Sequence, residues 1–413
     1  MRILLWHGYL LGGTGSNVYT RALAREWARA GHDVTIVCQE RHAERYDVGG
    51  ARVVVPPLPD DLLPVFVLDD YEGLEARVLQ DFTVPQLDAY VEANADALRA
   101  LGEADFVFAN HVLLGGPVGR ASGARYVVKA HGSELEYSMR GRPELARWAA
   151  ESLADADAVF VGSEHIRAVL EDVVGHVDRV YEVPPGVDVE EFRPEDRDAA
   201  LASLIDEARR DPRDGDERHP DPGNAERFAA FFADDEPTVV FVGKLIENKG
   251  VQVLFDALRN VDARAVIAGF GDYREELEAI APGRVLFTGA LEHRHLVHLL
   301  PLADVSVVPS IFPEAFGMVA AEAAAAGVPP LVADHSGLAE VAAGIAAEYP
   351  ASARHLTSFR TGDADALAER LRALLALPAA ERRALGLAAR RAVERNWSWT
   401  RVAERLLDPL SPG

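Results

Sequence analysis

The sequence predicts an α/β protein of two doubly wound parallel sheets facing across a cleft. Short apolar runs alternate with longer amphipathic segments through both halves of the chain, and glycine-bearing loops follow several of those runs. With 413 residues the chain is also too long for one ordinary core, so two domains of about 200 residues each are expected. An apolar fraction of 49% supplies material for both.

Charge narrows the partners. The formal net charge of -24 argues against a nucleic acid or an anionic membrane held by general electrostatics. The single cysteine, Cys38, lies in an apolar run over 34–38, which rules out an internal disulfide and fits a buried thiol in a reducing cytoplasm. Residues 1–11 are interrupted by His7 and Gly8 and read as a strand, not a signal peptide. Of 42 basic residues only Lys129, Lys244 and Lys249 are lysines. Two of them share one loop, where a compact ammonium suits a phosphate as a point charge.

In the first half, residues 2–9 read as a buried strand, and the glycine loop 12–17, with Gly13, Ser16 and Asn17, leads into a helix over 18–30. That arrangement permits phosphate or sugar contact at a helix start, or is a tight turn with no ligand. It is not the dinucleotide fingerprint, because Val18 stands where a third glycine would be and the next strand, 32–37, runs into Cys38 and Gln39; Glu40 keeps that alternative open. A strand over 52–55 precedes an irregular, proline-rich and acidic stretch over 56–72 that includes Asp69, Asp70, Tyr71 and Glu72. Residues 85–101 read as helix, and 105–110 and 125–130 as strands. The last runs into His131-Gly132-Ser133-Glu134, with Lys129 and His131 on one strand face by period two. A structural role for His131 stands beside a functional one. Strands over 157–162 and 179–183 complete the half. Residues 190–237 then shift to acidic, basic, proline and alanine composition with two helical runs.

In the second half a buried strand over 238–242 meets the loop from Gly243 to Gly250 and a helix with an apolar face. The strand over 265–271 ends at Gly269-Phe270-Gly271-Asp272, and residues 285–288 lead into Gly289-Ala290-Leu291. The chain is then organised around residues 309–330. An apolar strand ends at Pro309, and an alanine-rich helix begins near Ala320 and stops at Gly327 and Pro329. Glu314 precedes that helix, and the N–H groups of Phe316, Gly317, Met318 and Val319 are expected to point out of its start, where an anion is favoured. Glu322 lies about two turns in. A cleft that binds hydroxyls would explain both carboxylates; so would a dipole-compensating acid and a solvated face. The Asp155/Asp157 and Asp363/Asp365 pairs fall at element boundaries and read as caps and surface, so no metal ligand is assigned.

Glu314-x7-Glu322 around Phe-Gly-Met-Val, followed by Glu-Ala-x-Ala-Ala-Gly-x-Pro, resembles the signature of glycosyltransferase family 4, the retaining nucleotide-sugar transferases of the GT-B fold. The resemblance implies that Glu314 holds sugar hydroxyls, that Phe316 to Val319 meet the sugar and diphosphate through their amides, and that Glu322 holds the ribose. Gly243-Lys244-x4-Lys249-Gly250 is similar to the family's Gly-Arg-x4-Lys-Gly loop, which brings two cations to the diphosphate; Lys244 replaces the usual arginine and turns a bidentate contact into a point charge. Gly269 and Gly271 resemble the loop near the nucleotide, and Gly289 to Leu291 the segment whose backbone meets the base. His131 resembles the histidine that contacts the donor sugar, and Pro184 to Asp188 the turn that closes the first domain.

The implied organisation is a first domain over 1–188, a charged helical insertion over 189–236, a donor domain over 237–396 and a terminal helix over 397–413 returning to the first domain. The implied reaction moves a sugar from a nucleotide-diphosphate sugar to an acceptor hydroxyl with retention, with no metal or other cofactor. The rivals are a nucleotide-sugar epimerase or hydrolase and a non-catalytic sugar-nucleotide-binding protein; a dehydrogenase is disfavoured by the broken fingerprint. The expected partners are the donor and a small, soluble acceptor in the cytoplasm, without stable membrane association. Arg140 and Arg142 form a basic cluster after His131 that could anchor an acceptor anion through Arg forks. The alternative is that they pair with Glu144, Glu151 or the acids at 69–70, which would send the acceptor to Ser16, Asn17 and Tyr71.

Overall fold

The computed structural model describes residues 1–13, 15–66, 71, 73–211 and 219–410, so the acidic residues Asp69, Asp70 and Glu72 lie outside it. The chain divides into two compact units: Met1–Gly186 with Trp399–Gly413, and Val187–Ser398.

The first unit carries strands β1 (Arg2–Trp6), β2 (Asp33–Val37), β3 (Arg52–Val54), β4 (Leu62–Val65), β5 (Glu75–Val78), β6 (Phe106–Asn110), β7 (Tyr126–Lys129), β8 (Ala158–Val161) and β9 (Val180–Glu182). Seven of them form one sheet in the order β3-β2-β1-β6-β7-β8-β9, parallel throughout. Such a sheet is covered on both faces, so its strands are apolar at nearly every position. Alternate residues still divide between two cores: Leu4, Trp6, Val107 and Val128 on one face, and Ile3, Leu5, Phe106 and Phe108 on the other. The terminal helix Trp399–Leu407 adds Trp399, Val402 and Leu406 to the second core, and Trp27 Nε1 donates to its Ala403 carbonyl at 3.0 Å.

Two expectations change here. The first strand stops at Trp6 because Gly8 adopts φ +79 and turns the chain, which leaves His7 at the strand end. The stretch expected to be irregular contains β4, which pairs in parallel with β5 just beyond it, outside the main sheet.

The second unit carries β10 (Thr238–Val242), β11 (Arg264–Ala268), β12 (Val285–Phe287), β13 (Val305–Val308), β14 (Pro330–Ala333) and β15 (Ser358–Phe359), in the order β12-β11-β10-β13-β14-β15. The helices Arg197–Ala208 and Asn224–Phe231, from the segment with the shifted composition, contribute Ala200, Leu204, Ala225 and Phe228 to the core of this unit. Asp363 caps the helix Ala364–Ala376 by accepting from Ala366 N at 2.9 Å, while Asp155 and Asp157 pair with Arg120 and Arg125.

Each sheet reverses its strand order once, between β1 and β6 and between β10 and β13. Outside the carboxyl ends of the strands at such a reversal, neighbouring connections leave on opposite faces and a crevice opens. His7 follows β1, while His111 and His131 follow β6 and β7; the loop with both lysines follows β10, and Glu314 lies in the loop after β13.

The alanine-rich helix Met318–Ala325 is held by the helix Ala379–Asn396 at very short range. A Cβ on Gly386 would lie 1.8 Å from the Gly327 carbonyl oxygen, so only glycine fits. Gly386→Ala is expected to destabilise the second unit by about 1–3 kcal/mol through forced backbone displacement. Urea unfolding of the variant against the parent checks this, and an unchanged midpoint would contradict the packing described.

Candidate active site

In the second unit, four loops at the carboxyl ends of the sheet are tied into one layer. Gly243 N donates to Ala268 O at 3.0 Å, Leu245 N to Phe270 O at 2.7 Å and Gly269 N to Gly289 O at 2.8 Å. Gly269 adopts φ +152 and a Cβ there would fall 1.8 Å from the Gly243 carbonyl oxygen; Gly271, at φ +148, meets Leu245 O in the same way. On the other side of the strand reversal, Gly250 lies against Pro309 O, and Ile311 N donates to Asn248 O at 2.9 Å. The β10 and β13 loops are thereby locked together.

The consequence is an ion pair. Lys249 Nζ lies 2.5 Å from Glu314 Oε1, with both side chains largely buried. Glu314 is further fixed by its own amide, which donates to Ser336 Oγ at 2.9 Å, and by its carbonyl, which accepts from Gly337 N at 3.0 Å. His335 adds a contact from Nε2 to Ser310 O at 2.7 Å. Lys244 is exposed in the same loop. The helix after Glu314 begins at Met318, with Gly317 at φ +122 as its cap, and Ala320 and Ala321 donate to Gly317 O. Helix geometry therefore leaves the Met318 and Val319 amides without an intrahelical acceptor. Phe316 is buried edge-on against Trp397 at 5.5 Å, so it serves as an anchor for this turn as well as a source of an amide. Glu322 is half-buried in an otherwise apolar helix; burial pushes its carboxyl above the ordinary range and His293 opposes that shift. Leu291 is half-buried at the end of the β12 loop.

In the first unit the ends of β1, β6 and β7 converge on a buried polar cluster. Glu134 is fully buried and its carboxylate accepts from the amides of His131 at 2.9 Å and Val112 at 3.3 Å, with His111 Nδ1 at 3.4 Å. Burial alone would raise this carboxyl, but His111 and the amides outweigh it and hold it below the ordinary range. His131 Nε2 lies 2.7 Å from Asn110 Oδ1, and the two histidine rings, 111 and 131, are 4.6 Å apart. Burial, reinforced by the neighbouring His111 and Lys129, keeps His131 neutral well below the usual imidazole range. His7, bonded at 2.7 Å to Asn17 Oδ1, is lowered to about 3 by burial and by His111. Lys129 donates to Val183 O at 2.9 Å and lies over the Tyr19 ring, which His131 also meets edge-on; burial lowers its ammonium to about 7. Burial pushes the Cys38 thiol up to about 12, as an inert core residue. Among the described residues, the buried Nδ1 of His7, Nε2 of His111 and hydroxyl of Tyr9 have no hydrogen-bond partner, and the three rings lie within 5.7 Å of one another.

Several expected acceptor residues are committed elsewhere. Arg140 bonds Glu136 at 2.7 and 3.1 Å and Asp172 at 2.6 Å, and Arg142 donates to the carbonyls of Tyr137 and Ser138. An acceptor anion at Arg140 would have to displace two carboxylates, Glu136 and Asp172. Asn17 is buried, with its amide on His7 and on the Gly12 carbonyl, and so orients His7 instead. Ser16 is half-buried and accepts from Thr20 Oγ1 through its carbonyl, and the Tyr71 ring lies 6.3 Å from Tyr9. Gly13 adopts φ +88, and a Cβ there would meet nothing among the described residues. Sequence reasoning missed His7, His111 and Glu134. Glu134 stood in the quoted His-Gly-Ser-Glu motif, and His111 follows a strand end as His131 does, at φ +71, a conformation that suits few residues.

Among the described residues no cluster of His, Cys, Asp or Glu is arranged to hold a metal ion, and no helix is long and apolar enough to cross a membrane.

Comparison with known proteins relates the chain to glycosyltransferases. Residues 13–191 match the family described as Glycosyltransferase Family 4, and residues 224–392 match Glycosyl transferases group 1. The chain is 31% identical over 336 residues to a GDP-mannose-dependent alpha-(1-6)-phosphatidylinositol monomannoside mannosyltransferase of Mycolicibacterium smegmatis, covering 76% of this chain and 78% of that one. It is 29% identical over 361 residues to a D-inositol 3-phosphate glycosyltransferase of Xylanimonas cellulosilytica, covering 79% and 77%. Among solved structures, sucrose-phosphate synthase from Thermosynechococcus elongatus superposes with a TM-score of 0.69 at 22% identity over 98% of this chain and 97% of that one, a likeness of fold.

Two outcomes follow from the site. Lys249→Ala and Glu322→Ala should each weaken binding of a nucleotide-sugar donor by about 1.5–3 kcal/mol, the worth of a hydrogen bond to a charged group. Calorimetry decides it, and unchanged affinity in both variants would move the donor elsewhere. The second outcome is a pH dependence. The folded values of His7, His131 and Lys129 all lie below their ordinary ones, so the unfolded chain binds more protons. From pH 10 down through 7 for Lys129, and from 6.5 towards 3 for His7, stability is lost on acidification at ~1.4 kcal/mol per pH unit per group. Urea midpoints of the first unit should climb from pH 5 to pH 9, and a flat profile would mean that these groups are not held neutral.

Proposed function

The chain belongs to glycosyltransferase family 4, and we propose that it transfers a hexose with retention, without a metal ion, to a small polyol that carries an anionic group. That it is a nucleotide-sugar glycosyltransferase of the GT-B architecture follows from its relatives and its fold. The observation that carries the donor side is the meeting of Lys249 and Glu314 at the strand reversal, beside the start of the helix Met318–Ala325. Lys249, Lys244 and the first amides of the helix stabilise the charge that develops on the departing diphosphate, which is the electrostatic help a metal would otherwise supply. As the bond from the anomeric carbon to the phosphate oxygen breaks, the acceptor oxygen bonds to that carbon on the same face. The acceptor proton passes to the departing phosphate oxygen, so no protein base is required. Glu314, released from Lys249 when the diphosphate takes over the ammonium, orients the sugar hydroxyls, and neutral His131 donates or accepts a hydrogen bond to the sugar.

The acceptor side rests on the unpartnered atoms of His7, His111 and Tyr9. Buried polar groups left without partners are costly, and ligand hydroxyls satisfy them. The relatives named for inositol phosphate and phosphatidylinositol mannoside acceptors share a hydroxylated ring bearing a phosphate, which supports the anionic polyol class.

Purified protein is to be incubated with UDP-, GDP- and ADP-hexoses and with inositol, inositol phosphate and glycerol phosphate, in EDTA. One pair should give product whose anomeric coupling in NMR matches the donor. Loss of activity in EDTA restored by magnesium, or inversion, would overturn those parts of the reading; nucleotide release at equal rate without any acceptor would overturn transfer itself. Tyr9→Phe and His111→Gln should raise the acceptor KM roughly tenfold each, about 1.4 kcal/mol per lost hydrogen bond, with donor affinity unchanged.

A further inference from the structure

The segment between the two helices of the shifted-composition region does more than connect them. Its end, residues 219–221, lies alongside the loop after β12 as an extra antiparallel rung, with Pro220 bridged to Gly289. Ala290 N donates to His219 O at 3.1 Å and Asp221 N to Thr288 O at 2.7 Å. The rung is clamped from three sides. Arg274, at the start of the helix that follows the Gly269–Gly271 loop, grips Asp221 with both guanidinium nitrogens at 2.7 and 2.6 Å; Arg227 Nη1 adds a contact at 3.3 Å. Asn224 Nδ2 donates to Thr288 O at 2.8 Å. Gly289, at φ +70, is packed so closely that a Cβ would lie 2.6 Å from Asp221 Oδ1 and from His219 O.

The position of this rung relative to the donor can be worked out. In the donor reading proposed above, the diphosphate lies between β10 and β13 with the sugar towards Glu314, and the family resemblance puts the nucleoside towards Gly269, Gly271 and the β12 loop. Gly289 to Leu291 is the segment that the family resemblance assigns to the base, and residues 219–221 pair with it directly. There the Ala290 amide is already spent on His219 O.

We infer that residues 219–221 form one wall of the donor's base site and that His219 is a specificity-determining residue for the nucleotide base. The inference rests on the donor reading proposed above. It assigns to an irregular insertion a role that a mere cover for the exposed edge of β12 would not have.

The test measures binding of UDP, GDP and ADP by calorimetry to the parent, His219→Ala, Asp221→Asn and Lys249→Ala. The phosphates are the same in all three ligands, so their affinity ratios report on the base alone. The parent should prefer one nucleotide. His219→Ala, which leaves the backbone pairing in place, should reduce that preference at least about tenfold, the scale on which single pocket contacts discriminate. Asp221→Asn, which loosens the clamp and keeps the imidazole, should reduce it less. Lys249→Ala should weaken all three ligands equally. Ratios unchanged in both insertion variants, or a parent without preference, would overturn the inference while leaving the donor site standing. If the parent bound none of the three, or Lys249→Ala changed nothing, the donor reading itself would fall and the inference with it.

Discussion

The second unit depends on a steric contact. Gly250 approaches the Pro309 carbonyl so closely that a Cβ would lie 2.0 Å from its oxygen. That approach closes the strand reversal between β10 and β13 and brings a cation from one loop within 2.5 Å of a carboxylate from the other. Neither charge is well placed alone in a partly buried loop, because desolvation disfavours both. Paired, they neutralise each other, and in the donor reading proposed above a diphosphate, with more negative charge than one carboxylate, would take over Lys249.

The first unit uses a different economy of charge. Its polar cluster holds three imidazoles within stacking distance, and burial together with mutual repulsion keeps His7 and His131 neutral. The one full negative charge, on Glu134, is compensated by two amides and His111. That carboxylate fixes the turn from β7 into the π-helical segment Glu134–Met139, and with it the orientation of His131. A neutral imidazole can accept or donate a hydrogen bond without the desolvation cost of an ion.

How much of this could be read in the sequence depended on the range of the interactions. The Gly-x5-Lys-Gly loop, the Glu-x7-Glu stretch and the alternation of elements are local patterns, and local patterns survive in one dimension. The Lys249–Glu314 pair did not, because it joins residues far apart along the chain through a backbone contact that no periodicity reveals. The partners of Asn17 and Arg140 were hidden for the same reason: His7 and Asp172 are brought to them by packing. Glu134 was visible as the last letter of a motif, but its role needed the position of His111, which comes from a different strand. The shifted composition over 190–237 was legible as a departure, while its rung on the β12 loop was not.

Glycines 243, 269, 271 and 289 explain why such a rung can matter chemically. Loops stripped of side chains are free to offer backbone amides to a ligand, but the same amides must be satisfied or solvated when the site is empty. In this unit the loops satisfy one another in sequence: Gly243 on Ala268, Gly269 on Gly289, and Ala290 on His219. Each bond removes one amide from those a ligand could use. The insertion stands at the last position of the series, where the His219 carbonyl takes the Ala290 amide and so reduces the backbone groups of the β12 loop that remain for a ligand.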